Sequence, residues 1–167
     1  MGNLRNRSSF WMQVTVSFNE TTDEGLTKEK KEQYVVEAAS FIDAETNIRR
    51  EMDYNNRPVK VLAIVKPKFG TVCFNDDSTA ENWYKVKVVI TEEEEVRTRK
   101  GGTRTKSKVV SHFHLVQASS VDSARQAIKE VVYKDSQEDY EIADIVKTRI
   151  LDVLESEKHL QTLSLGE

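Results

Sequence analysis

The sequence predicts an α+β fold: a tandem duplication of a ββαβ unit, with antiparallel sheets and a helix packed on one face of each. Three observations predict it. Two strands open on tryptophan, at Trp11 and Trp83, 72 residues apart. A strand-to-helix junction recurs at an offset of 80, with Val36, Ala38, Ser40, Ala44 and Ile48 matched by Val116, Ala118, Ser120, Ala124 and Ile128. A closing strand recurs as well, Ile64-Val65-Lys66 against Ile145-Val146-Lys147.

The elements follow in order. Residues 1–9 are polar and predict a flexible N-terminal arm. The first unit spans residues 10–74. Phe10, Met12, Val14, Val16 and Phe18 alternate with more polar positions, the period of a strand buried on one face. Tyr34–Ser40 is a second strand that runs straight into a helix, with Phe41, Ala44, Ile48 and Met52 as its apolar stripe. Val59–Lys66 closes the unit. Residues 75–81 read as a linker, and the second unit spans 82–153. There Tyr84, Val86, Val88 and Ile90 share a strand face. Val121, Ala124, Ile128, Val131 and Val132 form the helix stripe, and Tyr140–Lys147 is the closing strand. Ser40 and Ser120 suit the N-cap, where a hydroxyl accepts a bond from a free backbone N–H. The drift in offset from 72 to 80 places an eight-residue expansion in the second hairpin. Residues 154–167 are a tail carrying four leucines, readable as a frayed helix or as a docking peptide.

Composition narrows the function classes. A chain of 167 residues buries roughly 70% of its unfolded surface, enough to fold without metal or disulfide. The single cysteine, Cys73, excludes an internal disulfide and a multi-cysteine zinc site. Twenty-five basic against 28 acidic residues give a net charge of -3, so no global basicity signals nucleic acid. No run approaches the ~20 apolar residues of a membrane span, and the polar start lacks a signal peptide, so a cytoplasmic protein is expected. No phosphate loop, dinucleotide fingerprint, zincin helix or nucleophile elbow occurs. The expectation is a non-enzymatic protein without a cofactor or metal.

The candidate site is the second hairpin. After Glu92-Glu93-Glu94-Glu95, the stretch from Arg97 to Lys108 holds Arg97, Arg99, Lys100, Arg104, Lys106 and Lys108 and no acidic residue, with Gly101-Gly102 as the turn. Such a ribbon can follow a phosphate backbone and release its counterions. The plain alternative is a solvated hairpin whose cations pair with the neighbouring glutamates. Trp83, Lys85 and Lys87 lie together on the strand face opposite the apolar one, an arrangement that can stack bases and hold phosphates. The plainer reading is that Trp11 and Trp83 each seal the edge of a core or the junction between units. His112 and His114 share a face at a spacing compatible with metal, but no further ligand accompanies them, which favours core or edge histidines.

Trp83-Tyr84-Lys85-Val86-Lys87-Val88 and Phe113-His114-Leu115-Val116-Gln117-Ala118-Ser119-Ser120 resemble segments of a domain-of-unknown-function family found in Bacteroidetes and the phages that infect them. The resemblance covers about residues 10–153 and implies the fold and a bacterial or phage origin, without catalytic residues. A more distant topological likeness is to an archaeal and eukaryotic large-subunit ribosomal protein with a lysine-rich hairpin. Two partner classes follow: single-stranded DNA or RNA on the basic hairpin, or another protein or a second copy on an open strand edge. The nucleic-acid reading casts the protein as a binding or replication-accessory factor. The alternative is an interaction module.

Overall fold

The computed structural model describes residues 2–54 and 58–156. Its elements run β1 (Leu4–Ser8), β2 (Trp11–Thr21), β3 (Thr27–Glu37), α1 (Phe41–Tyr54), β4 (Lys60–Val65), β5 (Thr71–Asn75), β6 (Asn82–Arg97) and β7 (Thr103–Ala118). Then come α2 (Val121–Ala127), which passes into a π-helical turn over Ile128–Val132, β8 (Tyr140–Lys147) and β9 (Ile150–Leu154). Among the described residues the fold is mixed α and β, strand-rich, with two short helices and mostly antiparallel pairing.

One sheet has the order β4-β2-β3-β9. β2 pairs antiparallel with β3 and β4, and β9 runs parallel to β3. Alternation along β2 aims Met12, Val14 and Val16 at Ala44, Ile48 and Met52 of α1, joined by Tyr34, Val36 and Ala38. The helix starts where Ser40 stops the strand: its Oγ accepts from the Asp43 N–H at 3.1 Å. Phe41 departs from the expected stripe, which begins at Ala44; Phe41 is 56% exposed. Phe10 likewise precedes β2 and is 70% exposed.

The other sheet has the order β1-β5-β7-β6-β8. β6 pairs antiparallel with β7 and β8, and β5 runs parallel to β7. Its core gathers Tyr84, Val86, Val88 and Ile90 with Cys73, Val116 and Ala118 under Ala124, Ala127 and Ile128. Ser120 caps α2 by accepting from the Ser123 N–H at 3.1 Å. Both sheets are also buried on the face away from their helices, at Trp11 and Val35 in one and at Val72, Trp83 and Leu115 in the other.

The domain boundaries differ from the expected ones. Among the described residues, one compact unit comprises 8–54, 58–70 and 149–156, and the other 2–7 and 71–148. The strand after each ββα-β stretch therefore leaves it: β5 joins the sheet of β6–β8, and β9 joins that of β2–β4. Residues 1–9 are not simply an arm, because Leu4–Ser8 form an edge strand. Its start is tied down by Asp76, whose N–H donates to the Asn3 carbonyl at 3.2 Å. The linker expected at 75–81 begins within β5 and continues as a turn in which Thr79 donates its N–H and hydroxyl to Asp77. Of the expected tail, Leu154 ends β9, and residues 157–167 lie outside the described residues.

Candidate nucleic-acid interface

The β6–β7 hairpin is long because its register continues past the sheet. β8 accompanies β6 only as far as Ile90, opposite Tyr140. From Glu92↔Lys108 to Arg97↔Thr103, β6 and β7 pair only with each other. Six register pairs and a turn make a two-stranded ribbon roughly 20 Å long. Apart from the half-buried Val96 and Thr98, its side chains are exposed.

The turn is ordered by its own hydrogen bonds rather than by the two glycines alone. The Thr98 N–H donates to the Gly102 carbonyl at 2.8 Å, and the Gly101 N–H to the Thr98 carbonyl at 3.1 Å. The Gly102 N–H also reaches Thr98 Oγ1 at 3.2 Å. Gly101 takes the left-handed position, with φ 81°. Arg99 and Lys100 occupy the centre of this turn and point into solvent. The β2–β3 hairpin closes in the same way, with Thr22 bonded to Gly25 and Leu26 and φ 81° at Gly25, but its central residues are Asp23 and Glu24. Both turns share a Thr-x-x-Gly spacing, Thr98 to Gly101 and Thr22 to Gly25, a signal beyond the Gly101-Gly102 pair.

Register separates the six basic residues into two groups. Lys108 stands opposite Glu92 and Lys106 opposite Glu94, so these two lysines are charge-balanced across the ribbon. Arg104 stands opposite Val96, Arg97 opposite Thr103, and Arg99 and Lys100 lie in the turn. The cationic end is therefore Arg97, Arg99, Lys100 and Arg104. Because side chains alternate along a strand, Arg97 and Arg104 project from opposite faces of the ribbon.

Trp83, Lys85 and Lys87 do not join that end. Lys87 is ten residues from Arg97 along β6, roughly 30 Å away. Trp83 is 2% exposed, with its ring edge-on to Phe74 at 5.8 Å between centroids, so it offers no face to a base. Lys85 and Lys87 are half-buried. Lys85 Nζ lies 5.7 Å from the Phe113 ring centroid, and Lys87 stands opposite Phe113 on one side and Asp144 on the other.

The two histidines share a face of β7 but differ in burial. His112 is exposed, while His114 sits in the sheet with Thr71 Oγ1 against its Nδ1 and the Tyr133 hydroxyl 2.8 Å from its Nε2. Burial, helped by His112, pushes its pKa down to about 4. Tyr133 reaches it from the end of the π-helical turn, a partner with no sequence signal. Among the described residues, no group of three or more His, Cys, Asp or Glu is placed to hold a metal ion. Burial raises the Cys73 thiol to about 11, far from a reactive thiolate. No described helix is long and apolar enough to cross a membrane.

No curated protein and no solved structure matches this chain. One family model does, over residues 10–156, which is most of the chain. The protein thus belongs to the DUF4494 family, defined by a domain of unknown function.

Proposed function

We propose that this is a non-enzymatic nucleic-acid-binding or replication-accessory protein that grips a phosphate backbone with the end of the β6–β7 ribbon. One observation carries the reading: four cations, Arg97, Arg99, Lys100 and Arg104, surround an ordered turn with no acidic residue opposite them. The rest of the chain supports it by contrast. Taking four positive charges from the net of -3 leaves -7, so nucleic acid is repelled elsewhere and directed to the ribbon end. Lys106 and Lys108 serve the ribbon through their opposed glutamates, and Trp83 belongs to packing.

The same proposal includes a tandem ββαβ duplication, a cytoplasmic setting and an origin in Bacteroidetes or their phages. The matched junctions, N-caps and hairpin turns support the duplication. The test is anisotropy of labelled DNA and RNA with the full chain and with Arg97→Gln/Arg99→Gln/Lys100→Gln/Arg104→Gln. Binding by the first and its loss in the second support the reading, and equal binding by both refutes it.

A second reading is protein pairing at an open strand edge. Edge strand β4 favours it, with Leu62 40% and Val65 51% exposed and Lys60 as its one charge. Absence of nucleic-acid binding together with a charge-bearing substitution at Val65 that abolishes self-association would favour this second role.

A further inference from the structure

The geometry points to a B-form DNA duplex as the ribbon's ligand, with the ribbon end lying in the major groove between two phosphate walls. This inference rests on the nucleic-acid reading above and deepens it. Arg97 and Arg104 leave the ribbon on opposite faces, and Arg99 with Lys100 leaves from the apex. Cations that diverge in this way match backbones on both sides of an inserted element. A single strand supplies one backbone and would leave one of the two arginines unused.

The neighbouring side chains support the same choice. Sequence-tolerant single-strand binding depends on aromatic platforms that stack bases. The ribbon carries no aromatic residue between Thr91 and Val109, and Trp11 and Trp83 are both buried. The ribbon's size also fits. A major groove about 12 Å wide admits a two-stranded β-ribbon, whereas the deep, narrow major groove of duplex RNA does not. Six paired rows leave enough free ribbon to enter without carrying the sheet into the backbone.

The test compares one sequence as DNA duplex, single-stranded DNA and RNA duplex, titrated with the full chain at low salt. The expected result is binding to the DNA duplex at least about tenfold tighter than to the other two. Four neutralised phosphates give a log–log salt slope near about -3.6, and Arg97→Gln and Arg104→Gln should each remove about 0.9 of it. Equal affinity for single strands or RNA duplex overturns the groove assignment while leaving the nucleic-acid reading in place. A slope that responds to only one of the two arginines also overturns it, since only one wall is then touched. No binding to any of the three ligands refutes the underlying reading itself. Circular dichroism of each variant confirms that the exposed substitution left the fold unchanged.

Discussion

Glu94 stands directly opposite Lys106 in the β6–β7 ribbon. Two rows inward Glu92 stands opposite Lys108, so both lysines of the ribbon root face a glutamate, while Glu93 and Glu95 stand opposite Ser107 and Thr105 and only the end is cationic. Opposed charges in such pairs contribute roughly 0.2–1 kcal/mol each to strand pairing. The two lysines are therefore structural in this account. Lys106→Gln/Lys108→Gln should leave the salt slope of nucleic-acid binding within about half a charge of the wild type. A titration that loses as much slope as the four-site variant at the ribbon end would contradict this division.

Trp83 is a second place where position decides the role. It is sealed against Phe74, so Trp83→Ala should cost roughly 3–5 kcal/mol of unfolding free energy, the usual cost of truncating a buried aromatic. Urea denaturation measures that loss. At a temperature where the variant remains folded, the salt slope should be unchanged. A stable variant with weakened binding would restore Trp83 to the interface.

His114 gives the fold an acid sensitivity with a defined window. Its folded pKa of about 4 lies below the ordinary 6.5, because burial disfavours the imidazolium. Below pH 6.5 the unfolded chain takes up a proton that the folded chain refuses, so stability falls as the pH drops from 6.5 towards 4. The gap corresponds to about 3 kcal/mol at most. Thr71 and Tyr133 keep the neutral ring satisfied above that window. Denaturant midpoints of wild type and His114→Gln across pH 4–7 should converge at the acidic end. Parallel pH profiles would show that His114 is not the source.

Gly101 tests the ribbon turn. Nothing lies within 4 Å of a Cβ built there, so the cost of Gly101→Ala comes from its φ of 81° alone, roughly 1–2 kcal/mol. That cost falls on a ribbon held only by its own two strands, and hydrogen exchange at Thr98 and Gly102 should accelerate. Weaker nucleic-acid binding with an unaltered salt slope should accompany it, since no charge is removed. Unchanged exchange would mean that the turn tolerates the residue and does not set the geometry of the end.

The local grammar of both ββαβ stretches was legible because each signal is local. The alternation of Met12, Val14 and Val16, the serine caps and the stripe at Ala44 and Ile48 need only neighbouring residues to be read. Thr71–Asn75 and Ile150–Leu154 are too short to read as strands from alternation alone. Each has five residues, and each pairs in parallel with a distant strand, β5 with β7 and β9 with β3. Leu4–Ser8 escaped for a similar reason, since an edge strand need not show an apolar face. In the candidate site, the basic run was visible as composition, but its division into balanced and free cations depends on cross-strand register. The distance between Lys87 and Arg97 likewise becomes clear only once β6 is known to be one continuous strand.

The central claim is most directly tested by the salt dependence of binding to a labelled DNA duplex, measured by anisotropy between about 50 and 200 mM salt. With four phosphates engaged, affinity should fall on the order of 10²-fold across that range and the log–log slope should lie near about -3.6. Changing Arg97, Arg99, Lys100 and Arg104 to Gln together should abolish both. Absence of binding at low salt, or binding that survives the fourfold change with its slope intact, would contradict the account.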